Sequence, residues 1–304
     1  VLSWLANAWR VPELRRRVLF TATVLAVYRL GSWIPAPGVN AASIQNLLSG
    51  GVFALLSLFS GGALARFSIF ALGIMPYVTA SIVLQLLAVA VPSLERLQKE
   101  GESGYAKINQ YTRYLTVCLA VLQAAGYAYL FHRSGGLKLD AGRFVLIVIT
   151  LAAGTTLLMW MGELITKRGI GNGISLLIFA SILTAAPAGI SAWINGSAVE
   201  RLFFPIVALF VVVSVVFVQE GQRRIPIQYA KRMMGRRQTS GTSTYMPLRV
   251  NMAGVIPVIF AATLLALPQT VGLFAPTTQT FINEHFSSRS WVYLGVEAAL
   301  IILF

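Results

Sequence analysis

Apolar residues gather along this chain in long runs separated by short polar connections. A helix that crosses a bilayer needs about 20 mostly apolar residues, with a range of roughly 17 to 25. Seven stretches meet that requirement, at 18–34, 67–91, 114–131, 144–161, 174–194, 202–218 and 251–274. An eighth begins at Trp291 and stops at Phe304, fourteen residues that are too few to cross alone. The pattern predicts an all-α polytopic membrane protein with seven complete spans and part of an eighth, in a chain expected to be a fragment.

Composition agrees and excludes an ordinary soluble enzyme. Of 304 residues, 57% are hydrophobic and 11% charged, against about 45–50% and ~25% in soluble domains. Ten acids and 24 bases cannot supply the polar skin that two soluble domains would need. The single cysteine, Cys118, excludes an intramolecular disulfide, and His132 and His285 stand far apart, so no metal site is expected. Residue 1 is Val, and no small-residue cleavage site follows the first apolar run, which reads as a trimmed start rather than a secretory signal peptide.

Charge sets the orientation. Alternate connections 1–17, 92–113, 162–173 and 219–250 hold 17 Lys and Arg, whereas 35–66, 132–143, 195–201 and 275–290 hold 6. The positive-inside bias therefore places the N-terminus in the cytoplasm, and accounts for much of the +14 net charge. The 219–250 segment goes further, with Arg223, Arg224, Lys231, Arg232, Arg236, Arg237 and Arg249 against Glu220 alone. A protruding basic loop of that length suits an RNA surface, anionic lipid or an acidic protein.

Coupled pumps carry carboxylates, histidines or lysines inside their spans. Here Glu163 lies at the edge of the fourth span, Glu297 lies in the incomplete eighth, and Arg29 in the first can snorkel; none shows a partner in the sequence. The Gly169-Ile170-Gly171-Asn172-Gly173 tract lacks the Lys-Ser/Thr ending of a phosphate loop and reads as a flexible turn. Asn195-Gly196-Ser197 matches a glycosylation sequon too short to be informative. Cys118 reads as a small packing residue.

Two spans are interrupted alike, by Gly73-Ile74-Met75-Pro76 and by Gly254-Val255-Ile256-Pro257, five helices apart. Corresponding Gly/Pro breaks in two halves point to a substrate pathway, and the odd spacing makes the halves an inverted repeat. Two unrelated proline kinks are the alternative. Gln85 and Asn251 would share a depth on these two spans, as a polar contact or as ordinary helix glue. Inward from them, Val78 and Ile259 would form an aliphatic constriction, roughly 10–12 Å away. Between Gly50-Gly51 and Gly61-Gly62, residues 52–59 would make a helix of only ~12 Å, which can re-enter the protein or lie at the interface but cannot span.

Phe59-Ser60-Gly61-Gly62, the Ile69–Tyr77 segment, Lys99-Glu100-Gly101-Glu102-Ser103-Gly104, Gln110-Tyr111-Thr112-Arg113-Tyr114, the Arg168–Ser175 segment, Gly221–Pro226 and Asn251–Pro257 together resemble SecY, the large subunit of the bacterial protein-conducting channel. The resemblance covers almost the whole chain. It implies a ten-helix clamshell of two inverted five-helix halves: residues 1–194 would be the N-terminal half, with a plug near 50–62, and 195–304 an incomplete C-terminal half bearing the 219–250 loop. Unfolded secretory polypeptide would cross an hourglass pore between the halves, and signal or transmembrane segments would leave sideways into lipid.

Matched motif by motif, the resemblance assigns a pore ring to Ile74, Val78, Ile174, Ile178 and Ile259. It assigns the plug to Val52, Phe53, Leu55, Leu56, Leu58 and Phe59, and a lateral gate for which Thr79, Gln85 and Asn251 are candidates. Arg223, Arg224, Lys231, Arg232, Arg236 and Arg237 would dock the ribosome, including its RNA, or the SecA motor. SecE and SecG would be membrane partners, membrane lipid would border the gate, and the bacterial inner membrane would be the location. No enzyme activity and no cofactor are implied. Counting puts Ile174 near the cytoplasmic end of the fifth span, so the 169–173 turn must dip into the funnel for the ring to form. The alternative function is a secondary transporter for a small solute, which requires a polar site and a coupling carboxylate that the spans lack.

Overall fold

Proline and glycine decide where the helices begin. The computed structural model describes residues 11–37, 60–133, 140–228, 233–234, 237–238, 243–249, 251, 257–258, 261, 264–265 and 290–303. The chain divides into two units, Val1–Pro187 with Phe260–Leu303, and Ala188–Ile259 with Phe304.

Helix α1, Pro12–Gly31, opens on a proline in its first turn, where the missing N–H has no helical partner to lose. Residues 60–74 are consecutive turns, joined to the preceding segment by a bridge between Pro35 and Ser68. Helix α2 runs only over Met75–Ala90, which corrects the span expected at 67–91. Gly73 is left-handed at φ +60°, Ile74 is the N-cap, and Pro76 stands in the first turn. The Gly73–Pro76 motif is thus a helix start and not a break within one helix, because the left-handed backbone of Gly73 interrupts the helical conformation and Pro76 has no amide hydrogen to bond upstream. At Pro92 the chain bends by 100° into α3, Pro92–Lys99.

Helices α4, Glu102–Arg133, and α5, Ala141–Arg168, contain the spans expected at 114–131 and 144–161. The 32 residues of α4 extend about 48 Å, beyond a hydrocarbon core of ~30 Å, so its polar first turns stand clear of the lipid tails. The fifth expected span, 174–194, is two helices, α6 at Gly173–Leu183 and α7 at Ala186–Asn195, with Pro187 at the restart. Helix α8, Ala198–Glu220, holds the sixth. Ser197 caps it, accepting from the Glu200 amide at 3.3 Å while Glu200 Oε2 accepts from the Ser197 amide at 2.8 Å. Helix α9 is Trp291–Leu303. Most of the expected seventh span, 251–274, and the plug candidates Val52, Phe53, Leu55, Leu56, Leu58 and Phe59 lie outside the described residues.

By length and composition, α5 and α8 can each cross a membrane, and α2 with α3 passes the same test as a bent pair. Helix α8 has no buried residue, and Leu202, Phe203, Phe210 and Phe217 are all exposed, the surface of a helix that is apolar all round.

The core of the first unit lies between α4, α5 and the 60–74 turns. Ala120, Ala124 and Ala128 recur every four residues along α4 and are fully buried against Ile147 and Leu151 of α5 and Leu64 and Phe67 of the turns. Small residues at that spacing let helix backbones approach closely. Cys118, two residues and about 200° from the alanine stripe, is exposed, so the packing role expected of it does not hold. Phe67 is fully buried in a left-handed backbone conformation, φ +46°. That conformation costs about 1–2 kcal/mol, offset by about 1.5–3 kcal/mol from burying the ring.

The 219–250 segment departs from the all-helical pattern locally. Strand β1, Gln222–Gln228, pairs antiparallel with β4, Ser243–Arg249, and the two-residue strands β2, Met233–Met234, and β3, Arg237–Gln238, pair with each other. Pro226 and Pro247 are tolerated because both strands of a two-stranded ribbon are edges.

Candidate functional site

Helix α6 begins deep beside α5, and the glycine turn before it is the reason. A side chain on Gly173 would strike the Gly162 carbonyl, so the two backbones touch. Gly162 lies six residues before the end of α5 at Arg168, about 9 Å along the axis, and the turn therefore folds back by that distance. Three side chains hold it. Thr21 Oγ1 of α1 accepts from the Ile170 amide at 3.2 Å, and Thr166 Oγ1 of α5 accepts from the Gly173 amide at 2.9 Å. Asn172 Oδ1 caps α6 by accepting from Ile174 at 3.0 Å and Ser175 at 3.3 Å.

The ring candidates occupy the helix starts so positioned. Ile74 and Val78 are buried at the beginning of α2, one turn apart, with the Val78 amide donating to the Ile74 carbonyl at 3.1 Å. Ile174 and Ile178 are half-buried in the first turns of α6. Ile259 is outside the described residues. Ile174 and Tyr77 border a cleft of about 700 Å³ whose other walls include Tyr105, Gln110 and Asn172, together with Arg113 and Glu163. Phenols, amides and paired charges make up most of its lining, with Ile174 and Ala106 as its aliphatic members.

The gate candidates are engaged within their own units. Thr79 is buried and donates to the Met75 carbonyl at 3.0 Å, while Gln85 is exposed and donates to Ser81 Oγ at 3.2 Å. Asn251 donates to Gln219 Oε1 at 3.4 Å. Of the docking candidates, Arg223 and Arg224 are exposed on β1 and Arg237 belongs to β3, whereas Lys231, Arg232 and Arg236 lie outside the described residues.

Sequence reading missed the partners of two intramembrane charges. Glu163 does have one: Arg113 donates through Nε to Oε1 at 2.7 Å and through Nη2 to Oε2 at 2.6 Å, lacing α4 to α5. Arg29 donates to the Gly61 carbonyl at 3.3 Å and lies over the Trp33 ring, 5.6 Å from its centroid. Arg113 and Glu163 are 50 positions apart, and no local pattern announces such a pair. Glu163→Gln is expected to lower the melting temperature of the purified protein by about 2–4 °C, from about 1 kcal/mol for a partly exposed bidentate pair. The swap Arg113→Glu with Glu163→Arg should recover part of it in a thermal scan.

Helices long and apolar enough to cross a membrane, packed beside a cleft lined mainly by phenols, amides and charged side chains, define the class as a multi-pass membrane protein. The family model described as SecY matches residues 68–304. The chain is 46% identical to protein translocase subunit SecY of Corynebacterium glutamicum, over 100% of this chain and 75% of that protein. It is 52% identical to the Streptomyces galbus subunit, over 90% of this chain and 68% of that one. The solved structure titled "The structure of a protein conducting channel" matches with TM-score 0.60 and 23% identity, over 85% of this chain and 58% of that chain. Sec61 in a canine ribosome-channel complex matches with TM-score 0.58 and 23% identity, again over 85% and 58%; these two likenesses carry the fold. The chain belongs to the SecY family. It is a protein-translocation channel subunit of the membrane and not an enzyme, and the family gives the small-solute transporter no support.

Proposed function

We propose that this chain supplies the N-terminal half, residues 1–194, and part of the C-terminal half of a polypeptide pore, in which Ile74, Val78, Ile174, Ile178 and Ile259 close around the passing chain. The observation that carries the reading is the fold-back of the 169–173 turn onto Gly162, which starts α6 about 9 Å below the end of α5 and brings Ile174 inward with it. Flexible aliphatic side chains adapt to many sequences, and a narrow apolar waist dewets and resists ion leakage. Residues 52–59 serve as the plug, and Thr79, Gln85 and Asn251 belong to a lateral gate through which signal segments reach membrane lipid.

In this reading the chain sits in a bacterial inner membrane with its N-terminus in the cytoplasm, beside SecE and SecG. Its basic 219–250 hairpin meets SecA or ribosomal RNA. The neighbours support a ribosomal partner, since the canine Sec61 structure is of a ribosome-channel complex and the yeast Ssh1 structure is of a complex bound to the 80S ribosome.

Single cysteines at Ile74, Val78, Ile174, Ile178 and Ile259 test the ring, in a full-length protein whose exposed Cys118 has been replaced by serine. With a secretory polypeptide stalled in sealed vesicles, all five positions should crosslink to it, while a cysteine at the exposed Phe210 of α8 should not. Absence of crosslinks from the five, with the stall verified, would overturn the assignment.

A further inference from the structure

The described part of the first unit contains a buried polar knot one helical turn beyond the ring candidate Ile178. The Tyr28 hydroxyl of α1 donates to Ser181 Oγ of α6 at 2.6 Å, and the Ser181 hydroxyl in turn donates to the Leu177 carbonyl at 2.8 Å. The Ser60 carbonyl lies 3.4 Å from the same phenol oxygen, and Ser60 Oγ accepts from the Leu64 amide at 3.2 Å. Tyr28, Ser60 and Ser181 are each no more than 3% exposed. Beside them Arg29 holds the Gly61 carbonyl.

Gly61 makes the close approach possible. Its φ is +64°, and a side chain there would stand 3.2 Å from the Ser181 backbone and 3.1 Å from Thr184 Oγ1. The turn at 60–62 therefore rests on the last turn of the helix whose earlier turns bear Ile174 and Ile178. The Phe70 ring stacks on Tyr28 with centroids 5.8 Å apart.

We propose that Tyr28 and Ser181 are positioning residues that lock α6 against α1 beside the 60–62 turn, so that the resting arrangement of the two ring isoleucines depends on a hydroxyl pair whose serine stands one turn beyond Ile178 on the same helix. The proposal rests on the channel reading above. A buried hydroxyl pair is a bistable contact: made in one arrangement, it leaves polar groups unpaired in apolar surroundings when α6 and α1 separate. Removing either hydroxyl lowers the cost of separation, and the population of the separated arrangement rises.

The test uses the full-length protein with its small membrane subunits in proteoliposomes, reading resting ion permeability and polypeptide transport together. Tyr28→Phe and Ser181→Ala should each raise resting permeability about tenfold, the scale of one buried hydrogen bond, and the double variant should exceed neither. Thr155→Val removes another buried hydroxyl, one bonded only within its own helix to Leu151, and should leave permeability unchanged. Spin labels at Val27 of α1 and Ile182 of α6, both exposed, should show a broadened distance distribution in Tyr28→Phe, which separates displacement from general loosening. Wild-type permeability in both single variants, or additive effects in the double, would overturn the lock while leaving the channel reading intact. A wild-type assembly that passes no polypeptide would overturn that reading and the lock with it.

Discussion

Valine at position 154 is expected to destabilise the protein by about 3 kcal/mol, the upper end of the cost of overpacking a rigid core. Gly154 lies in the middle of α5, and even a Cβ there would run into the Ile69 carbonyl and stand 2.9 Å from the Ile69 carbonyl carbon and from its Cγ2. That backbone cannot retreat. The Ile69 amide donates to the Ile34 carbonyl at 3.0 Å, and the adjoining Phe67 carbonyl accepts from the Ala36 amide at 2.8 Å. Gly154→Ala should fall between valine and wild type. Gly142 in the first turn of the same helix meets nothing within 4 Å, and Gly142→Ala should stabilise by about 0.5–1 kcal/mol through helix propensity. Thermal unfolding of the three purified variants checks the order, and equal melting temperatures for Gly154→Val and wild type would refute the backbone contact.

Reversing six charges on the 219–250 hairpin should lower ribosome affinity by about 10³ or more at physiological salt, if the hairpin meets RNA phosphates. The variant carries glutamate at Arg223, Arg224, Lys231, Arg232, Arg236 and Arg237. Arg223 and Arg224 are exposed on β1, so these two reversals break no contact of the ribbon core. For the wild type, six phosphate contacts predict a slope of log affinity on log salt of about −4 to −5, and the variant should flatten it. Co-sedimentation over a salt series measures both. Unchanged binding across the series would place the ribosome contact elsewhere on the chain.

Different physical signals made different parts of the molecule legible. Runs of apolar residues announce spanning helices without any tertiary information, because the hydrocarbon core rewards length and composition alone. Helices α5 and α8 enclose the runs expected at 144–161 and 202–218 for that reason. The start of α2 was misjudged by eight residues, since residues 67–74 are as apolar as a helix but fold as turns under the left-handed Gly73. Hydropathy measures burial, and those turns are buried by protein. The break between α6 and α7 carried a legible sign in Pro187, outweighed by the length of the apolar run. Nor did the paired strands of the 219–250 segment stand out beside its charge.

Within the site, residue types were readable and partners were not. Aliphatic spacing at Ile74 and Val78, and at Ile174 and Ile178, is a local property of one helix face; the sequence by itself determined the mainly helical membrane class and the family, and the family resemblance, not the spacing, named the candidate ring. Tertiary structure decided how deep α6 begins, because that depth follows from Gly173 resting on Gly162 and from hydroxyls of Thr21 and Thr166. It also decided that Glu163 answers Arg113 and that Tyr28 answers Ser181, pairs 50 and 153 positions apart. Local pattern records which face of a helix is apolar, whereas a buried polar group must find its partner wherever the packed chain brings one, at any separation in sequence.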